Sequence, residues 1–269
     1  GWFDNLPNIR SIFTTSLGRI CHITLPRFST ELYRDQENLL NVIVDGLELA
    51  GRLGARTVSL TGLIPSATNY GRAIVAKISG RGNLPKITTG HATTTTAVIF
   101  SIEKILSESG RNLSEERLGF LGMGSIGLAT LRLMLSLLPH PLEINLCDVY
   151  SKHDLLKKVR QEIIYEFGFQ GSVNIFFSPA KVSPDFYRST LIVGATNLPD
   201  ILDIAKIRPG TIIVDDSAPH CFNPELAIQR LENQEDILFT EGGILKSSQP
   251  ISELRYLPDS EDNANPFKA

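Results

Sequence analysis

The stretch "RLGFLGMGSIGLATLRLML", residues 117 to 135, limits the folds open to this chain more than any other. The apolar run 118–121 reads as a strand. Gly122-Met123-Gly124-Ser125-Ile126-Gly127 then turns the chain, and the apolar spacing that follows is helical. Each glycine has a physical task in a strand–turn–helix of this kind. Gly122 permits the tight turn, Gly124 lets backbone approach a pyrophosphate, and Gly127 lets helix pack closely on strand. The helix N-terminus adds free N–H groups and the positive end of a dipole. Asp148 ends the next predicted strand, 21 positions after Gly127, where a carboxylate accepts hydrogen bonds from ribose hydroxyls. The pattern predicts a dinucleotide cradle; without its context it is also that of an ordinary turn. A carboxylate repels a 2′-phosphate, so Asp148 favours NAD(H). NADP(H) stays allowed, because Lys152 follows within reach of a phosphate.

The rest of the chain repeats this grammar. Two β-rich runs flank Ser16-Leu17-Gly18-Arg19 and read as a hairpin. Residues 35–53 have helical spacing with Gly54 as the cap, "RTVSLTG" reads as a buried strand, and "SATNYGRAIVAKISG" as one helix. A short strand, a turn at Gly90 and a long helix to Gly110 follow, with Val98, Ile102, Ile105 and Leu106 as the helix stripe. Further strands are expected at 144–147, 173–176, 191–193, 211–214 and 237–239. Alternating strands and helices imply an α/β fold with a mainly parallel sheet. The polar stretch "SGRNLSEER" marks a boundary. The expected organisation is an α/β substrate lobe over 1–109, a Rossmann-type NAD(P)-binding domain over 110–246, and a tail over 247–269.

Other strand ends supply further candidates. Gly194-Ala195-Thr196 closes a strand with small residues, which suit the nicotinamide half of a cofactor. Gly242 and Gly243 after Glu241 fit the same role, or a plain turn. Asp215 and Asp216, in "VDDSAPHCFN", are expected to shape the loop beside the cofactor. Cys221, next to His220, is a candidate activated thiolate, although adjacent side chains seldom face each other. Thr88, Thr89, Gly90 and His91 open a helix with a threonine run, which suits an anionic or carbonyl-bearing substrate and equally suits helix capping. His91 is the candidate proton donor, with Thr89 beside it. Thr61, Gly62 and Ser66 are candidate substrate-lining residues. Arg72 reads as a solvated helix face rather than an anion partner. Cys21 and Cys147 read as packing residues, and His22, His140 and His153 lie in ordinary contexts.

Composition removes several classes. Lys and Arg number 26 against 29 Asp and Glu, so no basic excess draws the chain to nucleic acid or an anionic membrane. No apolar run approaches the roughly 18 residues of a membrane span. Three cysteines without CxxC spacing argue against a disulfide framework or a zinc site; no metal is expected. The reading places the chain in a reducing, cytoplasmic setting. A start at Gly1 suggests a piece of a larger multidomain protein, and a homo-oligomer is allowed.

In order and spacing, "SLTGLIPS", "ITTGHATTTTAV", "LGFLGMGSIGLATLRLML", "IIVDDSAP" and "EGGILK" resemble the cyanobacterial long-chain acyl-[acyl-carrier-protein] reductases, which form fatty aldehydes. The resemblance spans about residues 1 to 246 at a distant level and lacks that family's terminal extensions. It implies a two-lobed arrangement similar to shikimate dehydrogenases, and an acyl thioester reduced through a cysteine shortly after the glycine pair. Here that stretch is Gly242-Gly243-Ile244-Leu245-Lys246-Ser247-Ser248, with no cysteine, and a neutral serine hydroxyl is a far weaker nucleophile. That family also favours NADPH, against the reading of Asp148. The expectation is therefore an NAD(P)-dependent oxidoreductase that transfers hydride directly to or from a carbonyl, alcohol or imine, on a small molecule or an acyl carrier protein. Thioester reduction to an aldehyde is the first alternative, and a non-catalytic nucleotide-binding or scaffold domain the second.

Overall fold

The structure is a computed structural model, and it describes residues 5–28, 31–148, 153–177 and 181–256. The chain divides into two compact units. One comprises residues 1–90 with 246–269, the other residues 91–245.

The second unit is built on six parallel strands: β5 (Arg117–Leu121), β6 (Glu143–Asp148), β7 (Ser172–Phe177), β8 (Leu191–Gly194), β9 (Thr211–Asp215) and β10 (Ile237–Glu241). Their order is β7-β6-β5-β8-β9-β10, so the winding reverses between β5 and β8. This is the doubly wound Rossmann order, and it follows from covering both faces of a parallel sheet. Side chains alternate between the faces with a period of two. Leu118, Phe120, Ile144, Leu146, Leu191, Val193, Ile212 and Val214 join one core. Helices α4 (His91–Glu108), α5 (Ser125–Leu137) and α6 (His153–Tyr165) complete it through Val98, Ile102, Met134, Leu156 and Val159. Leu121, Cys147, Ile192 and Ile213 face the opposite core, with Phe186, Tyr187, Phe222 and Ala227 of α7 (Pro224–Gln234).

Helix α4 belongs to this unit rather than to the first lobe where the polar boundary near 110 placed it. Val98, Ile99, Ile102 and Leu106 are buried in the sheet's own core. An apolar stripe assigns a helix to whatever it covers, and a polar linker after the helix carries no such information.

The first unit has its own core of Leu39, Ile43, Leu47, Leu60, Ala67 and Ile74. Strands β1 (Asn8–Thr15) and β2 (Gly18–Thr24) form the expected hairpin. Helix α1 (Gln36–Arg52) is capped by Asp35, whose carboxylate accepts from Asn38 N. Strand β11 (Ser252–Arg255) pairs antiparallel with β1, so part of the expected tail is sheet. Strand β3 (Thr57–Ser59) pairs in parallel with β4 (Lys86–Thr88), and its ends are exposed rather than buried. The single helix expected over 66–80 is two: α2 (Ile64–Ala67) and α3 (Arg72–Lys77). Asn69, Tyr70 and Gly71 take positive φ between them, which interrupts the helical hydrogen bonds. Arg72 is exposed, as expected. Lys152 and the last thirteen residues, 257–269, lie outside the described residues.

Candidate functional site

The glycine turn sits at the switch point between β5 and β8. Gly122 N donates to Cys147 O at 2.9 Å and Ala195 N to Leu121 O at 2.8 Å, which ties the turn to the ends of β6 and β8. Gly122 has φ +95°, and a Cβ there would collide with the carbonyl of Ala195. A Cβ on Gly127 would collide with the carbonyl of Gly122, so the first turn of α5 lies directly on the loop. Gly124 differs. Its backbone is extended and its missing Cβ points into open space, with nothing within 4 Å. It is also the N-cap of α5 and offers no side-chain cap to the free N–H groups of the helix. The free N–H groups at a helix start need partners, and here the space beside Gly124 is open, where an added side chain would stand.

Asp148 is 1% exposed, and its Oδ2 accepts from Met123 N at 2.9 Å. Its first task is to hold the loop. Met123 is itself buried beneath it, and Ile126 is half-buried in the first turn of α5. His91, the first residue of α4, places Nε2 3.0 Å from Ser125 Oγ, which joins the starts of the two helices. Burial lowers its pKa, so the imidazole is neutral near pH 7. The structure thus brings His91 to the cradle as a hydrogen-bonding partner of Ser125.

The ends of β8, β9 and β10 form a second cluster. Asp215 is 1% exposed and fully engaged: Oδ1 accepts from Ser217 N at 3.2 Å, and Oδ2 accepts from Cys221 N at 3.2 Å. His220 Nδ1 lies 3.0 Å from the same Oδ2, and its Nε2 lies 3.2 Å from Glu241 Oε1. Asp215 therefore organises this loop. Gly194 is glycine because a Cβ would strike the Asp215 carboxylate and come within 2.8 Å of Cys221 Sγ. Thr196 N is held by Ser217 Oγ at 3.1 Å, and Ala195 and Thr196 are half-buried.

Cys221 is not a nucleophile in this fold. It is fully buried, and burial together with the adjacent Asp215 charge raises its thiol well above the ordinary value. Gly242 and Gly243 also have a protein reason to be glycine. A Cβ on Gly242 would press on Asp216 Cβ and Val98 Cγ2, each at 3.2 Å, and one on Gly243 would collide with Asp216 Oδ1. Asp216 lies across this pair. Its N donates to Gly194 O at 2.8 Å, and its carboxyl is pushed up to about 6 by burial and by the charges of Asp215 and Glu241.

The remaining sequence candidates lie in the first unit. Thr61 and Gly62 follow β3, and Thr88, Thr89 and Gly90 end or follow β4, so the parallel pairing gathers them at one end of that small sheet. Ser66 on α2 is exposed and its Oγ lies 3.2 Å from Tyr33 Oη. The arrangement that residue types alone missed is the His220 bridge between Asp215 and Glu241. Its partners lie on different strands, and only the parallel register of β9 and β10 aligns Asp215 with Glu241.

No family model matches the chain. A curated relative, aminotransferase PigE of Serratia sp. (strain ATCC 39006), is 25% identical over 247 residues. That match covers 88% of this chain and 26% of the relative, so the chain spans about a quarter of that protein. Similar solved structures include L-tryptophan dehydrogenase from Nostoc punctiforme (16% identity, TM-score 0.46, 76% of this chain and 54% of that one). Shikimate 5-dehydrogenase from Listeria monocytogenes, solved with shikimate and NAD, is similar at 14% identity and TM-score 0.39, covering 60% of this chain and 55% of that one. The A chain of dipicolinate synthase from Bacillus subtilis is similar at 16% identity and TM-score 0.40, covering 69% and 56%. The strand order and parallel pairing of residues 91–245 make this unit a Rossmann-type α/β fold.

Proposed function

We propose that residues 91–245 bind a nicotinamide dinucleotide and that the chain is an NAD(P)-dependent oxidoreductase. The observation that carries this is the start of α5 without a side-chain cap, with open space beside Gly124, at the switch point of the sheet. The N–H groups of Ser125, Ile126 and Gly127 would hold the pyrophosphate, with the helix dipole favouring its charge. Asp148 would meet the adenosine ribose while fixing Met123 N, and its carboxylate favours NAD(H) over NADP(H). Gly194, Ala195 and Thr196 would border the nicotinamide half. The bound cofactor supplies hydride chemistry; the residues here bind it, orient it and set the charge around it.

The substrate we infer is a carbonyl, alcohol or imine. The resemblance to acyl-carrier-protein reductases supports an acyl group delivered on a carrier. With Cys221 buried and no cysteine in residues 242–248, hydride would reach such a group directly rather than through an acyl-enzyme. A transaminase interconverts carbonyl and amine, so the partial match to one also fits carbonyl chemistry. The missing thiolate favours a second reading, in which the domain binds nucleotide without turnover.

Calorimetric titration of NADH and NADPH into the purified chain tests the proposal. We expect NADH to bind at least about tenfold more tightly than NADPH, a difference of about 1.4 kcal/mol. Gly124→Val should abolish binding of both while the chain stays folded, because its side chain would enter the open space the pyrophosphate needs without meeting other atoms. Binding unchanged by Gly124→Val would refute the cradle.

A further inference from the structure

A half-buried carboxyl group at the ends of three strands needs a reason to be there. Asp216 follows β9, its backbone N–H is bonded to Gly194 at the end of β8, and its side chain lies over Gly242 and Gly243 beyond β10. Both glycines leave room for it, since a Cβ on Gly243 would strike Oδ1. The backbone of Asp216 is thus tied to β8, and the missing Cβ atoms after β10 leave room for its carboxyl.

Its position can be related to the cradle. The pyrophosphate would lie at Gly124, between β5 and β8, and the adenosine ribose on the β6 side, where Asp148 stands. The other half of the dinucleotide then extends in the opposite direction, over the ends of β8, β9 and β10. Those ends carry Asp216.

The two redox forms of the cofactor differ there in charge: the oxidised nicotinamide ring is a cation and the reduced ring is neutral. We propose that Asp216 is a specificity-determining residue that selects the oxidised ring by charge, which makes the bound reduced cofactor a stronger hydride donor. This inference rests on the dinucleotide reading above.

The surroundings support the sign. The charged groups acting on Asp216 are Asp215, which precedes it at the end of β9, and Glu241 on β10, and His220 is bonded to both of these. Helix α4 approaches the same glycine pair through Thr94 and Val98, with His91 one turn earlier. Three carboxyl groups, Asp215, Asp216 and Glu241, thus gather at these strand ends around one histidine, so the site favours a cation. Asp215 and Glu241, together with burial, raise Asp216 to about 6. A carboxylate disfavoured by its neighbours is the one a cation relieves most. A neutral ring offers no such relief.

The test is calorimetric titration of NAD+, NADH and ADP-ribose, with the 2′-phosphorylated pair in parallel, into the full chain and Asp216→Asn. ADP-ribose carries the cradle contacts and lacks the ring. At about pH 8 we expect the oxidised form to bind roughly tenfold more tightly than the reduced form. Asp216→Asn should reduce that ratio severalfold and leave ADP-ribose unchanged. Lowering the wild-type chain to about pH 5 should act in the same direction, because it protonates Asp216. Tighter binding of the reduced form, or a ratio indifferent to both the substitution and pH, would overturn the inference while ADP-ribose binding upheld the cradle. Failure of every nucleotide to bind would overturn both.

Discussion

Asp216 costs the folded chain stability at neutral pH. Its folded-state pKa of about 6 lies above the ordinary carboxylate value of about 3.9. The folded chain therefore holds this proton more tightly than the unfolded chain. The resulting stability is fully present below about pH 3.9 and is lost as pH rises through about 6. Asp216→Asn should consequently stabilise the protein at about pH 8, by about 1–2 kcal/mol after allowance for partial solvent screening, and hardly at all at about pH 4. Urea unfolding at the two values checks this, and a stabilisation independent of pH would contradict it. Residue types showed where the strand-end candidates lay but not what each one does. Asp215 and Asp216 are neighbours in the chain and differ completely in the structure. The first is buried and bonded; the second is half-buried beside glycines. Cys221 looked activated beside His220, yet the turn sends its thiol into the core, where no sequence rule could place it.

At the scale of elements, the strand–turn–helix at 117–137 was legible because each of its signals is local: an apolar run, spaced glycines and helical periodicity. The two outer glycines answer to backbone sterics and the middle one to open space. Gly127→Ala should therefore destabilise the fold by about 1–3 kcal/mol, since α5 must move off the loop, whereas Gly124→Val should alter stability little. Thermal unfolding of the two variants separates these effects, and equal destabilisation would contradict the distinction. The break between α2 and α3 was not legible. Asn tolerates positive φ, but Tyr70 does so only because the surrounding fold imposes it. Strand β11 was missed for a related reason: its four residues are all exposed, so no burial pattern marked it.

For the whole molecule, the sequence implied α/β architecture and a parallel sheet, and both are present. The unit boundary was misplaced because a polar linker is a weaker signal than a helix's buried stripe. Each unit draws its core from its own residues: the first from residues 32–74, the second from residues 98–237. Among the described residues no helix is long and apolar enough to cross a membrane. The central claim is that the start of α5 holds a pyrophosphate. The most direct measurement is titration of the 15N-labelled chain with ADP-ribose, followed by backbone amide shifts. The account predicts saturable shifts concentrated at Gly122–Gly127 and Asp148, absent in Gly124→Val. Saturating shifts elsewhere, with those amides unmoved, would contradict it.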